Sequence, residues 1–308
     1  MKRQVSRLLA GFLVSVLCAS RASAELIAYE GFNPSGPQQQ GDRLGPYDED
    51  DGGGIGWEGV WAYNNGEPGG GEHRFDATTI SSDLLKNLPE GFSITHSGWA
   101  ARDYPGQLTR TIDTSSHGDL VTGSGKFGKD GTTIWVSSLI QFSGRRSCQN
   151  NPHEAICLSD GAELKVWTGY RSDDSWQYWQ NGDCLLQYAV NGQRFGTGLL
   201  GPYSDTVTLE PTMFLIRIDF ASGDDTVSVW VDPELTNRSP GTPDHQLTVT
   251  DFEFDSIFFQ YARGAGSSSL VDEFYIGTSV RDVMTPEPTT IVLIGLCAGL
   301  LSLRRIRR

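Results

Sequence analysis

The chain has 308 residues, 38% of them hydrophobic, 10% aromatic and 20% charged, which supports a packed core and excludes a disordered polymer. Eight of the 24 basic residues and one of the 38 acidic residues lie in the end segments 1–24 and 286–308, leaving 16 against 37, a charge of −21 on the part between. A surface this acidic excludes nucleic acid and anionic membranes as partners, and 37 glycines against 3 methionines point to many turns and few helices.

The N-terminus has the three parts of a secretory signal peptide. Lys2, Arg3 and Arg7 form a basic region, Leu8 to Ala19 is an apolar stretch too short to span a bilayer, and Ala22-Ser23-Ala24 is an A-x-A cleavage site. Cleavage between Ala24 and Glu25 makes Glu25 the first residue of the exported chain.

Residues 25–285 fit one all-β domain, because sandwiches of about 200–250 residues are common as single units. Leu26 to Phe32 opens the domain as a strand. Residues 33–54 are expected as a polar loop, and Ser82 to Leu88 as a short helix ended by Pro89. Thr133 to Phe142 is a β-branched and aromatic run. Residues 143–161 are expected as a second polar loop, followed by strands over Leu164 to Tyr170 and Cys184 to Val190. Asn191-Gly192 then signals a hairpin. Met213 to Phe220 alternates, with Phe214, Ile216, Ile218 and Phe220 on one face and Arg217 and Asp219 on the other. A turn at Gly223-Asp224-Asp225 leads to Val227, Val229 and Val231 on one face of the next strand. Ser256 to Tyr261 and Leu270 to Ile276 close an antiparallel sandwich or jelly roll.

The C-terminus carries Pro286-Glu287-Pro288, an apolar run from Ile291 to Leu303, and Arg304-Arg305-Ile306-Arg307-Arg308. The prolines stop a helix entering from the domain. The arginines stay cytoplasmic by the positive-inside rule. The run is shorter than the ~20 residues that span a bilayer, so Thr289, Thr290 and snorkelling arginines make up the length. This tail resembles the PEP-CTERM sorting signal of Gram-negative bacteria. The resemblance implies an exosortase-like membrane protease as a partner, a helix that holds the precursor in the membrane, and delivery to the cell envelope or extracellular matrix.

Further segments resemble the concanavalin A-like lectin/glucanase (LamG-like) jelly roll found in secreted PEP-CTERM proteins. They are Ile27-Ala28-Tyr29-Glu30-Gly31-Phe32, Gly53-Gly54-Ile55-Gly56-Trp57-Glu58-Gly59-Val60-Trp61, Ile218-Asp219-Phe220 with Asp224 to Pro233, and Val271-Asp272-Glu273-Phe274-Tyr275-Ile276-Gly277-Thr278. These motifs are structural, and the fold hosts lectins, glucanases and plain interaction modules. The glucanases of this fold use E-x-D-x-x-E, whose first two carboxylates share a strand face. Glu253-Phe254-Asp255-Ser256-Ile257-Phe258 has Phe258 where the acid/base belongs, so no catalytic residue is assigned.

No H-x-x-x-H, C-x-x-C, G-x-S-x-G or P-loop pattern occurs. His73, His96, His117, His153 and His245 are isolated and expected in loops or at strand edges. Asp48, Asp50 and Asp51 offer hard oxygen ligands on a flexible loop and are a candidate calcium site, although a solvated acidic loop explains them as well. Trp176, Tyr178 and Trp179, flanked by Asp173, Asp174 and Asp183, form the densest aromatic and acidic cluster in the chain. Exposed rings stack on sugar faces while carboxylates accept from hydroxyls, so these six residues are the candidate glycan contact. In a strand, Trp176 and Tyr178 share one face and Trp179 takes the other, which places part of the cluster in the core. Export implies oxidising conditions. A Cys148–Cys157 disulfide closing the 143–161 loop is expected, with three reduced cysteines or a pairing with Cys184 as alternatives.

The expectation is an exported, non-enzymatic jelly-roll protein, carbohydrate-binding and associated with exopolysaccharide. The rival expectations are a structural or adhesive matrix protein without a glycan site, and a degenerate glycoside hydrolase. Exported material is predicted to begin at Glu25 and to end near Pro286-Glu287-Pro288. Intact-mass measurement checks both cuts, and secreted protein that still carries Arg308 counts against the second.

Overall fold

Period-2 alternation of branched and aromatic side chains drives the chain into strands whose buried faces meet. The computed structural model describes residues 25–30, 54–63, 74–76, 100–102, 106–144, 153–161, 163–172, 184–190, 193–199, 212–233, 239–261 and 267–284. In chain order the strands are β1 (Leu26–Glu30), β2 (Trp57–Tyr63), β3 (Arg74–Asp76), β4 (Ala100–Arg102), β5 (Gly106–Ile112), β6 (Thr133–Gly144), β7 (His153–Asp160) and β8 (Glu163–Ser172). They continue with β9 (Cys184–Val190), β10 (Gln193–Leu199), β11 (Thr212–Asp219), β12 (Asp225–Val231), β13 (His245–Val249), β14 (Ser256–Tyr261) and β15 (Ser267–Gly277), followed by helix α1 (Val280–Met284).

Two antiparallel sheets form a sandwich. Sheet A runs β13-β12-β11-β6-β15-β4-β3, with β1 also on β15, and sheet B runs β10-β9-β8-β7-β14-β5-β2. The first and last strands pair with each other, Glu30 opposite Phe274 and Tyr29 opposite Tyr275. The chain crosses repeatedly between the sheets, so neither sheet is complete until β14 and β15 are in place.

The main core lies between the sheets. Sheet A contributes Ile134, Val136 and Ile140 from β6, Phe214, Ile216 and Ile218 from β11, Val227 and Val229 from β12, and Phe274 and Ile276 from β15. Sheet B contributes Trp61, Ile112, Leu158, Val166 and Ile257. A second cluster occupies the outer face of sheet A, where Tyr29, Leu139, Met213, Leu215, Trp230 and Tyr275 pack with Val283 and Met284 of α1. Met213 and Leu215 alternate with the inward set of β11, so this strand is buried on both faces along its first half.

Residues 54–56 lie against β1 and lead directly into β2 of sheet B. Tyr29 and Ile55 exchange both backbone hydrogen bonds, each 3.0 Å. A Cβ on Gly56 (φ +79°) would lie 1.9 Å from the Ile27 carbonyl oxygen, and one on Gly54 (φ +109°) 2.2 Å from that of Tyr29. Only glycine permits this approach.

Most expected strands are present. β9 and β14 have the expected bounds, and Val190 opposite Gln193 leaves Asn191-Gly192 as a two-residue connection. One expectation fails. Residues 143–161 are not one loop, because β6 continues to Gly144 and β7 occupies His153–Asp160. β7 lies between β8 and β14, so its backbone groups are paired on both sides and the polar residues at its two ends do not prevent strand formation. The expected helix over Ser82 to Leu88 and nearly all of the expected loop over 33–54 lie outside the described residues.

Asp225 begins β12 fully buried, its two oxygens accepting from the backbone N–H groups of Ala221 (3.0 Å) and Phe252 (3.1 Å). Burial raises its pKa, the two backbone bonds oppose that shift, and Asp251 and Asp130 add to it. A folded-state pKa above the unfolded one means the native state holds the proton more tightly. Stability from this group is therefore gained as pH falls through its folded pKa, while its charge opposes folding at neutral pH. Thermal unfolding of the native chain and of Asp225→Asn is expected to show the wild type gaining Tm relative to the variant between pH 7.5 and about pH 4.5. A difference that stays constant with pH would show that the carboxyl does not titrate with folding.

Candidate functional site

Three groupings of polar side chains stand out, and the first is internal. Glu30 at the end of β1 and Arg110 in β5 form an ion pair between the two sheets, with only 2% and 4% of their side chains exposed. The Arg110 guanidinium lies 5.2 Å from the Trp57 ring centre and 5.8 Å from that of Trp61. Its Nε donates to the Gly59 carbonyl at 3.3 Å, and Trp57 Nε1 donates to the Tyr29 carbonyl at 2.8 Å. A buried charge needs this density of partners. Its burial assigns it to holding the sheets together rather than to meeting a ligand.

The second grouping contains the incomplete glucanase motif. Glu253 accepts from the Ser124 hydroxyl, and Asp255 accepts from the hydroxyl of Ser256. Lys126 pairs with Asp160 and sits 4.0 Å from Asp255. The Asp160 hydrogen bond raises the Lys126 pKa, so the ammonium is held charged between these carboxylates. Phe258 is buried at the third position of the motif. These groups fasten the 121–127 turn to β7 and to the segment before β14.

The third grouping lies on the outer face of sheet A, beside the cluster under α1 against which Trp135 packs, and becomes visible only from cross-strand register. Trp135, Arg217, Ser228 and Gln246 align across β6, β11, β12 and β13, and Thr133, Asp219, Thr226 and Thr248 form the adjacent row. Neighbouring strands are about 4.8 Å apart, so each row spans roughly 14 Å. Arg217 donates to Asp219 Oδ1 from Nε at 2.9 Å and from Nη2 at 2.8 Å, and Thr133 donates to the same oxygen at 2.7 Å. The guanidinium lies 5.6 Å from the Trp135 ring centre, and Trp135 stacks on Trp230 at 5.6 Å and 22°. Arg217 Nη1 and Asp219 Oδ2 have no partner among the described residues. A fixed donor and a fixed acceptor thus stand beside a half-buried indole. Gln246 and Thr248 are exposed along the same rows.

The residues expected to contact glycan, Asp173, Asp174, Trp176, Tyr178, Trp179 and Asp183, lie outside the described residues. In the chain they fall between β8 and β9, whose flanking residues Ser172 and Cys184 are paired. Ala24, Asp48, Asp50, Asp51, Cys148, Pro286, Glu287, Pro288, Arg304 and Arg305 also lie outside. Among the described residues no group of three or more His, Cys, Asp or Glu is placed to hold a metal, and no helix is long and apolar enough to cross a membrane. Cys157 sits in the interior of β7, opposite Trp167, and Cys184 at the start of β9. β8 separates them and they are five residues out of register, roughly 19 Å apart, well beyond the span of a disulfide. Of the five histidines, His117 is buried, its Nδ1 3.4 Å from a carboxylate oxygen of Glu25.

No protein-family model matches this sequence, and no curated protein does. Among solved structures, the chain is similar to the binding domain of botulinum neurotoxin serotype D, with 11% identity and a TM-score of 0.33 over 64% of this chain and 44% of that one. It is similar to the T. cruzi calreticulin globular domain, with 10% identity and a TM-score of 0.42 over 88% of this chain and 100% of that one. It is also similar to the CBM2 module of Lactobacillus casei BL23 phage J-1 evolved Dit, with 10% identity and a TM-score of 0.31 over 71% and 94%. The match spans less than half the length of the neurotoxin chains.

Breaking the inter-sheet ion pair from one side strands a buried charge. Arg110→Met is expected to lower unfolding free energy by about 3–5 kcal/mol, and Glu30→Leu similarly. The Glu30→Leu/Arg110→Met double variant is expected to lose much less than the sum. Urea unfolding of the three variants checks this, and additive losses would show that the two side chains act separately.

Proposed function

We propose that this is an exported, non-enzymatic carbohydrate-binding protein with a concanavalin A-like jelly-roll topology, sorted by its two end signals to the cell envelope or extracellular matrix. An exosortase-like protease is the proposed processing partner. The observation that carries the binding reading is the Trp135–Arg217–Asp219 arrangement. A sugar presents adjacent hydroxyls, which suit a neighbouring donor and acceptor, and an apolar ring face, which suits an indole. Arg217 and Asp219 cancel in charge on a strongly acidic domain, so the proposed ligand is a neutral, hydroxyl-rich polysaccharide. The connection over residues 173–183, with Trp176, Tyr178 and Trp179, is proposed as a second contact. A degenerate glycosidase is disfavoured by the engagement of Glu253 and Asp255 with Ser124, Ser256 and Lys126.

One open-face site of this kind is weak. A ring contact contributes about 1 kcal/mol, and a millimolar Kd corresponds to about −4 kcal/mol. Retention in a matrix then depends on many copies acting together. Arg217→Ala and Trp135→Ala are expected to reduce retention on immobilised neutral polysaccharide severalfold while far-UV circular dichroism stays unchanged, with no reducing sugar released by any form. Equal retention by both variants and by Trp176→Ala would remove both contacts and leave the structural matrix protein as the better reading.

A further inference from the structure

The first residue of the expected mature chain is held by its own small site. The Glu25 backbone nitrogen donates to Thr278 Oγ1 at 3.0 Å, and the Glu25 carbonyl accepts from the Thr278 backbone N–H at 3.0 Å. Thr278 Oγ1 in turn donates to Asp282 Oδ2 at 3.4 Å. The same oxygen accepts from the Ser279 backbone N–H and from the Ser279 hydroxyl, both at 2.8 Å. Asp282 is thereby fixed at the start of α1, where it accepts from the otherwise unpaired Ser279 N–H. A Cβ on Gly277 would lie 2.5 Å from the Asp282 Cβ, so glycine is required for the carboxylate to reach β15 this closely. On the other side, the Glu25 carboxylate meets the buried His117.

We propose that Thr278 and Asp282 form a receptor for the α-ammonium that is created when the chain is cut after Ala24. The inference rests on that expected cut and is independent of any carbohydrate ligand. In the precursor, Glu25 N is a neutral amide with one hydrogen, and Thr278 alone satisfies it. Cleavage converts it to a cation with three hydrogens while β1 stays paired with β15. One hydrogen keeps the Thr278 bond, and the positive charge then faces Asp282 across a single hydroxyl. Thr278 accepts from the ammonium and donates to the carboxylate, so the relay remains satisfied at every atom. Export processing thus tightens the β1–β15–α1 corner, which in the precursor lacks this charge.

The ionisable groups around the terminus are Asp282 from α1, reached through Thr278, the Glu25 carboxylate, and His117 from the 113–121 segment, which that carboxylate meets; Arg281 of α1 is exposed. A terminus that gains a carboxylate partner titrates above the ordinary α-amino value of about 8. Its contribution is therefore complete below that value and lost as pH rises through the folded pKa.

The experiment compares the chain from Glu25 to Arg308 in three forms: with a free amine, with the same amine acetylated, and with Ser23-Ala24 retained ahead of Glu25. Intact mass verifies that Glu25 has not cyclised to pyroglutamate. At pH 6.5 the free-amine form is expected to melt about 2–4 °C above the acetylated form, the range for a domain of this size gaining one such interaction. The form extended by Ser23-Ala24 is expected to melt with the acetylated one. The advantage is expected to vanish at about pH 10.5 and in Asp282→Asn, which keeps a capping oxygen for Ser279. If Asp282→Asn does not fold, Thr278→Val removes the relay instead, and the advantage is expected to shrink. Equal melting at pH 6.5, or an advantage that survives at pH 10.5 or in the variant used, overturns the proposal.

Discussion

The ion pair between Glu30 and Arg110 is the constraint around which the two sheets are assembled. Interlocking Val, Ile, Leu and Phe side chains hold two sheets together but tolerate many relative placements, because apolar contact is not directional. A guanidinium and a carboxylate in that same dry layer tolerate few. Arg110 belongs to β5 of sheet B and Glu30 to β1 of sheet A, so their contact fixes one sheet against the other at a defined position. The desolvation cost is offset by charge-assisted hydrogen bonding, the Gly59 carbonyl and two indole faces. The pair need not add net stability to have this effect; its contribution is to penalise every other placement.

The close approach of Gly54 and Gly56 to β1 follows from that constraint. For Trp57 and Trp61 to flank Arg110 beside Glu30, the residues just ahead of β2 must lie against β1. Gly54 and Gly56 press against the carbonyls of β1, where a side chain would collide. The Tyr29–Ile55 bridge and the Trp57 Nε1 bond to Tyr29 satisfy the backbone polar groups at this contact. β1 is then buried on both faces. Its outward Tyr29 stacks on Tyr275 at 4.5 Å and continues into the cluster beneath α1. The outer face of sheet A is consequently divided into an apolar part under α1 and an open polar part on β6, β11, β12 and β13.

Features fixed by near neighbours were legible in the sequence. The alternation in β11 and β12, the two-residue hairpin after Val190 and the bounds of β14 depend on residues within one or two strands. β7 was not legible, because its apolar centre, Ala155 to Leu158, is only four residues long between polar ends, and one of its two partner strands, β14, lies about a hundred residues onward. Nothing in the sequence singled out Arg110 or the strand Gly106–Ile112, because the partner that buries it lies 80 residues away. The Trp135–Arg217–Asp219 arrangement joins strands some 80 residues apart, and only the β6–β11 register unites it. Density along the chain instead drew attention to Trp176, Tyr178 and Trp179. Arg217 and Asp219 did signal that one face of β11 turns polar, but not that the polar patch has an aromatic neighbour.

The placement of basic side chains sharpens what the surface can attract. Arg110 is buried on Glu30, Lys126 is held by Asp160 with Asp255 nearby, and Arg217 is fixed on Asp219. Each of these cations already faces a carboxylate of the same chain, so none presents an uncompensated positive charge. A polymer of negative charge approaching the open face of sheet A meets a neutral pair on a domain of charge −21, and finds no net attraction there once closer than about 8–10 Å at moderate salt. A neutral chain meets no such barrier, and loses only the water that Arg217 Nη1 and Asp219 Oδ2 exchange for its hydroxyls. Under the proposed reading, the charge distribution that disfavours nucleic acid at the level of composition therefore also favours a neutral over an anionic polysaccharide at this one face.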